Sequence, residues 1–143
     1  MTSAEPEAKR LLEKASEQFP DDAALVAGLA YDEQREGARR KASQLYTKAL
    51  SLKPDSLDAE TNLGVLDAQS GNIRDAVRLW QDAFRRAPGS SEIGIDLARA
   101  YCEEKLFDAA RNSTMRVLEF NPDSPDAKML LKELNSDRPH CRT

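Results

Sequence analysis

Apolar residues recur three and four positions apart along nearly the whole chain, and the recurrence is broken at regular intervals by Pro, Gly, Asp and Ser. That spacing places each set on one face of an α-helix. Ala8, Leu11, Leu12 and Ala15 make the first stripe and predict a helix over about 3–19, with Ser3 as N-cap and Glu5, Pro6 and Glu7 in its first turn. The later stripes predict helices over about 23–35, 40–52, 57–69, 73–86, 91–104, 107–120 and 125–135. Asp21 or Asp22 caps the second helix. Gly37 and Gly71-Asn72 supply tight turns. The corresponding turn through Lys105 lacks glycine and is expected to bend less sharply. Gly64 is expected opposite Ala76, letting two helices touch, and Trp80 is expected to fill a large core slot.

The stripes repeat. Pro20, Pro54, Pro88 and Pro122 stand 34 residues apart, and so do Ala8, Ala42, Ala76 and Ala110; Leu29, Leu63, Leu97 and Leu131; and Ala15, Ala49, Ala83 and Val117. Four ladders in one register mean a stack of like helix pairs, each burying its apolar face against the next. The frame divides residues 1–136 into a half repeat (5–20), three repeats (23–56, 57–90, 91–124) and a capping helix (125–136), with a disordered tail at 137–143. In this frame the first helix is the second half of a repeat, so its partner helix is expected before Met1. Asp32 and Glu33 fall where the other repeats carry Leu66 or Tyr101, which predicts loose packing at the end of the 23–35 helix. Thr114 replaces the aromatic of Tyr46 and Trp80, leaving less bulk. Lys132 takes the small-residue slot of Ala30, Gly64 and Ala98, as suits a polar-faced cap.

Composition narrows the function. The 143 residues fit one domain. A net charge of −4 argues against nucleic acid, whose binders carry a basic stripe. No apolar run is long enough to span a membrane and MTSAEPEAKR has no apolar signal core, so no membrane partner is expected and the compartment stays open. No catalytic residue, metal site or cofactor is expected: the one histidine, His140, lies in the tail, and there is no glycine-rich phosphate loop. Cys102 and Cys141 form no CxxC, and Cys102 is expected as a small packed thiol rather than a reactive one.

Leu63-Gly64, Ala76, Trp80, Ala83 and Pro88 within Leu57 to Pro88 stand at the spacing of the tetratricopeptide signature. Over roughly residues 5–135 the chain resembles the tetratricopeptide repeat family. The resemblance implies an all-α, right-handed superhelical stack of antiparallel helix pairs, an α-solenoid. It also implies a concave groove, lined by the first helix of each repeat, that takes a peptide or protein. The family's ligand-facing positions fall here at Ala24, Ala27, Tyr31, Gln34 and Arg35; at Asp58, Thr61, Asn62, Val65 and Gln69; and at Glu92, Ile95, Asp96, Arg99, Cys102 and Glu103. The capping helix adds Asp126, Met129 and Glu133.

One subclass of the family clamps the C-terminal carboxylate of chaperone tails with Lys, Asn and Arg. Only Asn62 fits that set; Ala27 and Tyr31 replace the first pair, and Glu92 and Asp96 replace the last. Two acids would repel a carboxylate, so such tails are not expected to bind. The acids at Asp58, Glu92 and Asp126 point instead to a basic or mixed-charge peptide, although acids in a first turn also suit the helix dipole. The expected function is a protein- or peptide-binding scaffold with no enzymatic activity. The alternative is a structural spacer or a segment that self-associates end to end through Leu11 and Leu12.

Overall fold

The computed structural model describes residues 4–141, so the expected cap at Ser3 lies outside the described residues. Among those residues there are eight α-helices and no strand: α1 (Ala4–Gln18), α2 (Ala23–Arg35), α3 (Arg39–Leu52), α4 (Leu57–Gln69), α5 (Ile73–Arg86), α6 (Ser91–Glu103), α7 (Phe107–Phe120) and α8 (Pro125–Leu134). None is long and apolar enough to cross a membrane. The helices follow the 34-residue period closely, and so do their start signals. Asp22 Oδ1 accepts from Leu25 N at 3.1 Å, and the hydroxyls of Ser56, Ser90 and Ser124 accept from Ala59, Ile93 and Ala127 N at 3.3–3.4 Å. These four caps stand 34 residues apart, and each satisfies one of the backbone donors a helix start leaves open.

The chain packs as two compact units, Met1–Leu66 and Asp67–Thr143, with the boundary inside α4. In the first, Val26 and Ala30 of α2 and Ala42, Tyr46 and Ala49 of α3 form one buried cluster with Ala59 and Leu66. The stretch expected to be loose is tightly held instead. Glu33 is only 3 % exposed, and its Oε1 lies 3.2 Å from Lys9 Nζ of α1 and 2.9 Å from Lys41 Nζ of α3. Lys9 also reaches Glu36 Oε2 at 2.6 Å. A carboxylate can be buried here because each neighbouring helix offers it a cation.

In the second unit the core is Ala76, Trp80, Ala83 and Phe84 of α5, Ile93, Leu97 and Ala98 of α6, Ala110 and Val117 of α7, and Ala127, Leu130 and Leu134 of α8. Trp80 is buried as expected. Thr114 is buried too, and its hydroxyl donates back to Ala110 O at 2.8 Å. The documented close approach is at Gly94, where an added Cβ would stand 2.8 Å from Phe84 Cζ and closer still to Val117 Cγ2. Gly64 and Ala76, expected face to face, are both buried.

The turn at Lys105 corrects an expectation. Lys105 takes φ 60°, as Gly37 (84°) and Gly71 (85°) do at the equivalent places. Leu106 N donates to Tyr101 O at 2.8 Å, matching Ala38 N to Glu33 O and Asn72 N to Asp67 O. All three are the same left-handed C-terminal turn, closed by a six-residue hydrogen bond. The lysine bends as sharply as the glycines.

Candidate functional site

In the first unit the α2–α3 pair and the start of α4 enclose a cavity of about 530 Å³. Five of the expected ligand-facing residues, Ala24, Ala27, Tyr31, Asp58 and Asn62, line it, together with Tyr46 and Lys53. Tyr31 is 50 % exposed at its edge. Ala27 and Gly28 keep the α2 wall low, so the opening is wide. Asn62 Nδ2 donates to Asp58 O at 2.8 Å and Thr61 Oγ1 to Leu57 O at 2.8 Å, which fixes both side chains along α4. Tyr46 OH donates to Gln34 Oε1 at 2.9 Å, which ties Gln34 of α2 to α3; Gln34 itself does not line the cavity. Burial, and then the nearby Tyr31, Asp58 and Asp32, push the Tyr46 phenol up to about 12, keeping it a neutral donor. Arg35 is exposed and Val65 half-buried.

Tyr46 and Lys53 escaped the sequence reasoning as cavity residues because both belong to the second helix of the pair or its end. Lys53 had a signal. It precedes Pro54 at the α3 C-cap with an extended backbone (φ −139°), which turns the chain back toward α4.

In the second unit the face of α6 carries Glu92, Asp96, Arg99 and Cys102 at helical spacing. Glu92 is exposed, and so is Gln69 at the end of α4. Burial holds the Asp96 carboxyl above its usual range and the charge of Glu92 adds to this, while Arg99 opposes it. Arg99 Nε is buried without a hydrogen-bond partner among the described residues. Ile95 and Cys102 are 7 % and 6 % exposed, so these two positions present little surface. Cys102, expected as a packed thiol, is joined by a disulfide to Cys141, with the two Cα atoms 6.1 Å apart. The tail expected to be disordered is therefore described as far as Cys141 and is bonded to α6. Among the described residues no group of three or more His, Cys, Asp or Glu is placed to hold a metal ion.

Residues 67–134 match the family model described as tetratricopeptide repeat. None of the curated proteins compared matches the chain. Many solved structures share the fold. MamA from Desulfovibrio magneticus RS-1 (residue 41 to its end) superposes with a TM-score of 0.82 at 16% identity, covering 93% of this chain and 75% of that one. A tetratricopeptide repeat protein from Parabacteroides merdae gives 0.82 at 21% identity, covering 91% of this chain and 53% of that one. YrrB, described as a tetratricopeptide repeat protein with an unusual peptide-binding site, gives 0.76 at 20% identity, covering 87% and 64%. Residues 67–134 thus match the tetratricopeptide-repeat family, the same 34-residue unit recurs in the residues before them, and the fold is all-α and of the solenoid type.

Proposed function

We propose that the chain is a binding scaffold that takes a protein or peptide on the first-helix faces of its repeats, with a preference for basic or mixed-charge segments. Tetratricopeptide repeats are in general a non-catalytic, protein-interaction fold, and YrrB is described as having a peptide-binding site. The observation that carries the reading is the cavity lined by Tyr31, Asp58 and Asn62, and by Ala24 and Ala27, five expected ligand positions around one opening. Its edge offers an aromatic face, a carboxylate and an amide, which suit a cationic or amphipathic side chain together with a backbone carbonyl. On α6 the raised Asp96 and its neighbour Glu92 favour a cation in the same sense. The chaperone carboxylate clamp remains unfavoured for the reason its residues gave.

Affinity capture of partners by the wild-type chain, beside the double variant Tyr31→Ala/Asp58→Lys, tests this. A partner held by the wild type and lost from a variant of unchanged helicity supports the reading. Partners retained equally by both would overturn it. A second reading, self-association, is favoured by Leu11 and Phe19, which are 63 % and 60 % exposed on and just after α1. It predicts a dimer in sedimentation that Leu11→Glu dissociates and Tyr31→Ala leaves intact.

A further inference from the structure

The chain's own C-terminal segment is bonded to the first-helix face of α6. We propose that residues 136–141 are a latch, closed over this face by the Cys102–Cys141 disulfide and opened by a dithiol reductant. Cys102 lies on the face that carries Glu92, Asp96 and Arg99, one turn beyond Arg99, and is bonded to Cys141. The segment's root is fixed independently. Arg111 of α7 donates to the Leu134 carbonyl through Nε at 3.2 Å and Nη2 at 2.8 Å, which anchors the end of α8. Beyond that anchor the chain bends on itself: Ser136 Oγ donates to Glu133 O at 2.8 Å and to Arg138 O at 2.9 Å, and His140 Nδ1 lies 3.1 Å from Arg138 O. Past Ser136, no hydrogen bond or ion pair recorded among the described residues ties the segment to α6, so the disulfide is its attachment there. Asp137, Arg138 and His140 give the segment the mixed-charge character that an acidic helix face favours.

Opening is a thiol–disulfide exchange. Cys141 is partly exposed while Cys102 is buried, so a thiolate of the reductant attacks Cys141 Sγ. The S–S bond breaks, Cys102 leaves as a thiolate and takes up a proton, and a mixed disulfide forms on Cys141. The second thiol of the reductant then displaces the Cys141 thiol. Two electrons and two protons pass to the protein, and the dithiol becomes a cyclic disulfide. The regulatory meaning, that the closed latch competes with a bound peptide, rests on the binding reading above. The opening itself does not.

Backbone nitrogen relaxation on the full chain, oxidised and then reduced with dithiothreitol, tests the latch, with circular dichroism run in parallel. The order parameters of Asp137, Arg138, His140 and Cys141 should fall on reduction to the range of a flexible tail, below about 0.6, while helicity is unchanged. Cys141→Ser should show the low order parameters without reductant. Iodoacetamide should label both cysteines only after reduction. The proposal is overturned if the oxidised protein labels at both cysteines, if the segment stays as ordered after reduction and in Cys141→Ser, or if reduction collapses the helices, which would make the disulfide a structural staple. None of these readouts needs a groove ligand, so failure here leaves the binding reading standing.

Discussion

Equivalent positions in the 34-residue frame carry opposite electrostatics. Glu33 sits between Lys41 and Lys9, which hold its carboxyl below the usual range against the cost of burial. Its counterpart Asp67 is raised, by burial and then by the charge of Asp75, with Arg78 opposing. A carboxyl lowered on folding adds stability above its unfolded value near 4.5, and that stability is lost as pH falls through the folded value. Glu33→Gln should therefore lower the urea midpoint at pH 7, and the gap to wild type should close as pH falls below about 4.5. An unchanged gap across that window would remove the ion pairs from the account. Lys9, raised to about 12, works in the other direction, its contribution lasting until pH rises toward that value. Packing gives the second residue-scale prediction. Gly94→Ala forces a methyl against the Phe84 ring and Val117, and should destabilise by about 1–3 kcal/mol, read from urea unfolding. An undisturbed midpoint would mean that α6 can move away from α5 and α7 freely.

At the scale of the element, the repeat period made the helices legible almost to the residue, since caps, turns and apolar stripes all keep the same step. Two things were not legible. Local composition told against the end of α2, because the cations that neutralise Glu33 come from α1 and α3 and not from its own helix. The turn at Lys105 was misjudged because the absence of glycine was read as a change of shape, whereas the backbone keeps its shape and the side chain bears the strain. A left-handed lysine is disfavoured relative to glycine by about 1 kcal/mol. Lys105→Gly is accordingly expected to stabilise by up to about 1 kcal/mol, measured as a higher thermal midpoint with the same helicity. Of the candidate site, the first-helix residues were legible because the frame fixes which face they share. Tyr46 and Lys53 were not, since the cavity borrows its floor and rim from the partner helix.

At the scale of the molecule, the disulfide closes a long loop, with 39 residues of sequence separation spanning α7 and α8. Restricting the unfolded chain in this way is worth about 2–4 kcal/mol. Reduction should lower the urea midpoint accordingly while leaving the protein helical in buffer. Equal midpoints for the two redox forms would show that the cross-link constrains nothing in the unfolded chain. The pairing was illegible in the sequence because neither cysteine sits in a motif; only the path of the chain after α8 brings them together.

The ladder of side-chain caps at Asp22, Ser56, Ser90 and Ser124 bears on how such a chain can grow or shrink. Each 34-residue segment brings its own start signal and its own turn, so a copy can be duplicated or deleted in frame without orphaning a backbone donor. The segment holding Glu33 is the exception. Moved one register along, it would keep Lys41, which travels with it, but would meet Ser43 where Lys9 now stands. Shuffling the first repeat would thus cost Glu33 one of its two cations.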